Sequence, residues 1–241
     1  MTHEIIQLMQ KLKLAGMRAS FEGLLQAKNN PTLSNDEFIN ILLQSEWEDR
    51  ENKKLTRLLQ NARFRYRASM EEIDYITPRG LDKTSLMRLS DAAFVNKTEN
   101  IIIIGATGVG KSYIATALGH QACLMGQRVA YFSAQKLFTM LRMSKANESY
   151  FKEIKQIEKQ NLLIIDDFGM QPLDHSMRMM LMEIIEDRHQ EKSTIIASQI
   201  PVEKWHDIIG ESTIADAILD RLVHTAHRIE LNGESLRKKK K

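Results

Sequence analysis

The sequence predicts an α/β protein: a parallel sheet with helices on both faces, preceded by a small all-helical N-terminal domain over residues 1–70. Three observations predict it. From residue 99 onward, short β-branched runs alternate with longer stretches of helical period. Four successive isoleucines, Ile101 to Ile104, run into a glycine-rich turn and then an Ala/Leu-rich stretch, which reads as strand, loop and helix. Before residue 70, apolar residues recur at three- and four-residue spacing.

Composition narrows the class. The 241 residues, 43% of them hydrophobic, suffice for a main domain with a smaller companion. The only cysteine, Cys123, excludes an intrachain disulfide and a Cys-based metal site. Residues 1–17 are interrupted by Glu4, Gln7, Gln10, Lys11 and Lys13 and lack the apolar core of a signal peptide. No apolar run approaches the length that spans a membrane, so a cytoplasmic protein without a membrane partner is expected. His175, His189, His206, His224 and His227 show no metal-ligand spacing and read as structural.

In the N-terminal domain, Ile5, Leu8, Met9 and Leu12 predict a first helix that Gly16 ends, and Phe21, Leu24 and Leu25 a second that Asn29-Asn30-Pro31 breaks. Ser34 and Glu37 form a capping box for a third, with Phe38, Ile41, Leu42 and Ser45 in phase and an end near Ala68. Its first part is acidic. Its second part holds six cations and no acid: Lys53, Lys54, Arg57, Arg63, Arg65 and Arg67. Cations interleaved with aromatics in Arg63-Phe64-Arg65-Tyr66-Arg67 suit phosphate contact and base stacking. The same run also suits a solvated helix face with Phe64 and Tyr66 packed inward. The tail Arg237 to Lys241 adds five cations, and two such segments point to a polyanionic partner.

Ile73 to Gly80 reads as an extended connector, since Pro78 and Gly80 stop a helix. The domain boundary is placed near residue 70, leaving 71–241 as the second domain. There, Leu86, Leu89, Ala92, Ala93 and Phe94 predict one short helix leading to the isoleucine strand.

Gly105-Ala106-Thr107-Gly108-Val109-Gly110-Lys111-Ser112 fits G-x-x-x-x-G-K-[ST], the phosphate-binding P-loop. Its glycines let backbone N–H groups point at phosphate oxygens, and the following helix start adds partial positive charge. Lys111 is expected to reach the β- and γ-phosphates of ATP, and the Ser112 hydroxyl to ligate Mg²⁺. After a strand at Arg128–Phe132 and two helical stretches, Leu162 to Ile165 end in Asp166-Asp167, the pattern of a Walker B strand. Asp166 is expected to hold the Mg²⁺ shell and Asp167 to polarise the attacking water. A further helix around Met177–Arg188 precedes a strand at Thr194–Ala197 that ends at Ser198-Gln199. A polar side chain there suits either the γ-phosphate or a strand-end cap. A helix over Ile214–Leu222 and a last strand over Ala226–Leu231 follow.

With these residues in order, the chain resembles the IstB family, ATP-binding helpers encoded beside the transposase in a class of bacterial insertion sequences. The resemblance rests on the P-loop, on Leu163 to Gly169, on Ile196-Ala197-Ser198-Gln199-Ile200-Pro201, on Ala215 to Leu222 and on Gly233-Glu234-Ser235-Leu236-Arg237. That family is similar to the DnaC helicase loader and the DnaA initiator within the AAA+ ATPases. The resemblance implies a strand carrying the first sensor between the P-loop and Walker B strands, with Gln199 in that role and Ser198 as the alternative. It implies Arg221 as an arginine finger toward a neighbouring subunit and Arg237 as second sensor. It also implies duplex DNA, a transposase and further copies of the same chain as partners, and DNA-stimulated ATP hydrolysis. Only about ten residues follow the last strand, so no C-terminal helical lid is expected. A DnaC-like loader of a replicative helicase is the alternative, and a small-molecule P-loop kinase a third reading that the late Arg221 and the basic N-terminal domain fit poorly.

Overall fold

A computed structural model describes residues 2–26, 33–224 and 226–236. The predicted break at Asn29-Asn30-Pro31, the candidate Arg237 and the basic tail lie outside the described residues. Chain contacts separate two compact units, 1–57 and 58–241. The boundary expected near residue 70 lies further along the chain.

The first unit is helical: α1 (Thr2–Lys11), α2 (Ala15–Gln26) and the start of α3 (Asn35–Ala62). Met9, Phe21 and Leu42 form its small core, backed by Ile6, Met17 and Phe38. The capping box is present: Glu37 N–H donates to Ser34 Oγ (3.3 Å) and Ser34 N–H to Glu37 Oε2 (2.8 Å). Gly16 does not end a helix as predicted. It lies inside α2, where a Cβ would sit 2.3 Å from the Ser45 carbonyl oxygen of α3. Glycine is there because the two backbones touch, which outweighs its weak helix propensity. The third helix also ends earlier than predicted, at Ala62 rather than near Ala68. Arg63 adopts a left-handed conformation (φ 55°), which terminates the helix and turns Phe64 and Arg65 away from its axis.

The second unit begins with two short helices, α4 (Lys83–Arg88) and α5 (Ala93–Asn96), in place of the single one expected. Ala92 at φ 55° separates them. Then come β1 (Ile101–Gly105), α6 (Lys111–Leu124), β2 (Val129–Ser133), α7 (Ala134–Ala146), α8 (Tyr150–Glu158), β3 (Leu162–Phe168), α9 (His175–Arg188), β4 (Ser193–Ser198), α10 (Trp205–Ile209), α11 (Ser212–Val223) and β5 (His227–Leu231). The five strands are all parallel in the order β2-β3-β4-β1-β5. The strand ending in Ser198-Gln199 therefore stands between the P-loop and Walker B strands.

Both faces of the sheet are covered at β1 and β3, which is why these strands read as aliphatic runs, whereas the edge strand β5 alternates exposed polar and buried apolar residues from Arg228 to Leu231. Ile102, Leu163, Ile165 and Ile196 face a core built with α7, α8, α9 and α11. Ile164 points the other way, against α6, where a Cβ on Gly119 would meet its Cδ1 at 2.6 Å. Each isoleucine sealed from water here contributes roughly 1.5–3 kcal/mol of burial. Asp82 caps α4, Asp174 caps α9 and Glu211 caps α11, each carboxylate accepting backbone N–H groups of the first turn.

Candidate nucleotide site

The P-loop connects β1 to α6 at the carboxyl ends of the strands, where open parallel sheets bind ligands. Two of its glycines are required by geometry. Gly105 lies at φ 156°, and a Cβ would fall 2.2 Å from the Leu231 carbonyl oxygen. Gly110 lies at φ 101°, and a Cβ would meet Arg79 Nη1 at 2.4 Å. Lys111 is buried at the first turn of α6, with its ammonium donating to the Ala106 carbonyl (2.8 Å). A buried cation beside the positive end of a helix makes this loop a place for an anion.

The second half of the site comes from β3. Its register against β4 slips between Ile165 and Phe168, and Asp167 takes a left-handed φ of 56°. Such a bulge re-aims a side chain. Asp166 is sealed from solvent, and its Oδ1 accepts the Asp167 N–H at 2.9 Å. Its other oxygen accepts the Tyr131 hydroxyl of β2. Burial and that bond hold the Tyr131 phenol protonated, well above its ordinary range. Asp167 instead lines a cavity of about 960 Å³ with Thr107, Gln199, Lys136, Arg63 and Arg65.

Of the two sensor candidates, Gln199 is the one that meets the P-loop. Thr107 Oγ1 donates to its Oε1 at 2.5 Å. Ser198 is buried and committed to the strand end: it donates to the Phe168 carbonyl (2.8 Å) and accepts the Ile200 N–H (3.0 Å).

Arg221 lies away from its own P-loop. Its carbonyl accepts from Asn100 Nδ2 (3.2 Å), at the start of β1, so about 16 Å of strand separates that end from Gly105 at about 3.3 Å per residue. Its side chain, 25% exposed, contacts Glu186 of α9 at 2.7 Å and donates to the Ala217 carbonyl of its own helix.

The basic segment divides. On α3, Lys53 pairs with Asp49 (2.6 Å) and Lys54 with Glu51 (3.4 Å), while Arg57 is exposed. Beyond the helix, Arg63, Arg65 and Arg67 are exposed, whereas Phe64 and Tyr66 are half-buried. Phe64 packs edge-on against Tyr131 (6.4 Å), and Arg65 Nη1 reaches Asp167 Oδ2 at 3.1 Å.

Three residues escaped the sequence reading. Arg79, nearly buried, donates to the Val109 carbonyl of the P-loop and to the Asp74 carbonyl, both at 2.7 Å. Leu236 N–H donates to the Gly108 carbonyl (2.9 Å), so segments before and after the sheet both brace the loop. For Arg79 the only signal was an arginine inside a connector. For Tyr131, a lone hydroxyl in an apolar strand, there was one too: a buried tyrosine needs a partner.

The donors present fit a nucleotide with Mg²⁺. Ser112 and Asp166 supply a hydroxyl and a carboxylate, the oxygen ligands that a hard cation takes. Among the described residues no cluster of three or more His, Cys, Asp or Glu side chains could cage a metal alone. No helix among the described residues is long and apolar enough to cross a membrane.

The model of the IstB-like ATP binding protein family matches residues 7–241. The insertion sequence ATP-binding protein y4pL of Sinorhizobium fredii is 42% identical over 238 residues, covering 99% of this chain and 97% of the relative. Among solved structures, DnaI superposes with a TM-score of 0.56 at 22% identity, covering 68% of this chain and 91% of its own. The DnaC helicase loader does so at 0.50 and 20%, covering 72% and 99%. The chain therefore shares the fold of DnaI and the DnaC helicase loader over about two thirds of its length.

Proposed function

The chain belongs to the IstB-like ATP-binding protein family, and on that premise we propose that it is a DNA-stimulated AAA+ ATPase that assembles on duplex DNA and recruits or activates an insertion-sequence transposase. The observation that supports hydrolysis is the meeting of Thr107 of the P-loop, Asp167 and Gln199 around one cavity. A site for ATP binding alone has no need of an acidic side chain re-aimed by a bulge.

In this reading Lys111 binds the β- and γ-phosphates, and the P-loop N–H groups orient them. Ser112 and Asp166 would hold Mg²⁺, which neutralises phosphate charge when bound. Tyr131 keeps Asp166 in place. Asp167 accepts the proton of the attacking water, and Gln199 orients that water or the γ-phosphate. Arg221 serves a neighbouring copy. The cations of Lys53 to Arg67 bind the DNA backbone.

ATP hydrolysis with and without duplex DNA tests the enzyme. Lys111→Ala is expected to lose tight ATP binding, whereas Asp167→Asn binds ATP and does not turn it over. ATP affinity within a few-fold of wild type for the first, or undiminished hydrolysis by the second, refutes these assignments. Co-purification tests the partner: a transposase supports the proposal, and a hexameric helicase in its place supports the loader.

A further inference from the structure

The basic segment and the bulged end of β3 meet in one ion pair, between Arg65 and Asp167 at 3.1 Å. It sits at the only acidic side chain to which a proton-accepting role is assigned above. Phe64, the residue before Arg65, is pinned. It packs against Tyr131 and over Gly119 of α6, where a Cβ would lie 2.8 Å from the Phe64 ring. Arg65 itself is half in solvent, with 49% of its side chain exposed and 37% of Asp167, and it rests 5.3 Å over the Tyr66 ring. Arg63 and Arg67 lie exposed on either side.

We propose that Arg65 is a positioning residue for Asp167 and acts as a brake that DNA releases. Without DNA its guanidinium occupies Asp167 Oδ2, the oxygen that must be open to accept a proton from water. A DNA phosphate offers the guanidinium the same charge with two-point geometry. An ion pair this exposed is weak enough to exchange. The anchored Phe64 keeps Arg65 from wandering, so the exchange is between two fixed partners. This deepens the reading above, on which it rests: hydrolysis at Asp167 and DNA contact by the basic segment are the two events that Arg65 couples.

Coupling of this kind is reciprocal, so it has two independent readouts. In ATPase assays Arg65→Ala should raise the DNA-free rate about twofold to fivefold, the worth of an exposed ion pair, and shrink stimulation by duplex DNA by a similar factor. Arg65→Lys should restore part of the wild-type ratio. In DNA-binding assays without nucleotide, Asp167→Asn should free Arg65 and tighten duplex binding by about the same twofold to fivefold. That gain should vanish in Arg65→Ala/Asp167→Asn. The brake is overturned if Arg65→Ala leaves both the DNA-free rate and the stimulation at wild-type values, or if the gain in DNA affinity persists in the double variant. It is equally overturned if Arg65→Ala weakens ATP binding with stimulation intact, which would make Arg65 a nucleotide ligand. A wild-type protein that neither hydrolyses ATP nor binds DNA refutes the functional reading and the brake with it. An active wild type with an indifferent Arg65 refutes the brake alone.

Discussion

Thr107 Oγ1 donates a 2.5 Å hydrogen bond to Gln199 Oε1, tying the middle of the P-loop to the end of β4 across 92 residues. Ser198, one residue earlier, is sealed in the strand end. The two neighbours should therefore fail differently. Gln199→Ala is expected to lower the hydrolysis rate by about tenfold or more, within the range for a residue that positions the reacting groups, with ATP affinity within a few-fold and unfolding unchanged. Ser198→Ala removes a buried hydroxyl that both donates and accepts, at a cost of about 1–3 kcal/mol read by urea unfolding. A stable, hydrolytically dead Ser198→Ala would reverse the assignment.

The six cations from Lys53 to Arg67 set a ceiling on salt dependence. If all meet phosphates, the log of duplex affinity falls against log salt with slope about −5. The pairs Lys53–Asp49 and Lys54–Glu51 are exposed helix pairs and yield to phosphate at little cost. Replacing Arg63, Arg65 and Arg67 by Ala should flatten the slope by about half. An unchanged slope, measured by anisotropy across a salt series, would move the contact to Lys238–Lys241.

Arg221 sits at the far end of β1 from its own P-loop, held by Glu186 rather than by Asp216 or Asp220 of its own helix. A finger acting on a neighbour is worth roughly 10³–10⁵ in rate where measured. Arg221→Ala and Lys111→Ala should each be inactive alone, and their mixture on DNA should regain part of the ATPase activity. Glu186→Gln loosens the side chain without removing it and should stay active. A mixture that assembles yet remains dead, or normal hydrolysis by Arg221→Ala alone, rules out action in trans.

Cys123 is buried in α6, and burial pushes its thiol up to about 12. Only the thiolate reacts with alkylating agents. Native protein at pH 8 should resist iodoacetamide and become labelled on unfolding. Because the folded thiol holds its proton to higher pH than the unfolded one, whose value is about 8.5, its contribution is complete below that value and lost as pH rises toward 12. Urea unfolding should show stability declining across that window. Rapid labelling of the folded protein would contradict the burial.

Sequence alone determined what is written in consecutive residues. The isoleucine run, the glycine-rich loop, the Ala/Leu helix and the aliphatic strand ending in two aspartates each carry their own periodicity and backbone preference, so β1, the loop after it, α6 and β3 were legible in the sequence. The capping box of Ser34 and Glu37 was legible for the same reason. Only tertiary structure decided where these pieces meet. Gly16 belongs inside α2 because α3 passes within contact of it, and α3 stops at Ala62 where Arg63 turns left-handed. Asp166 and Asp167 part company because a bulge against β4 buries one and turns the other toward the cavity. Arg65 finds Asp167, Tyr131 finds Asp166 and Arg79 braces Val109 through hydrogen bonds that span long stretches of chain. Local propensity acts over a few residues, whereas such contacts exist only after the order β2-β3-β4-β1-β5 has closed the loops between them.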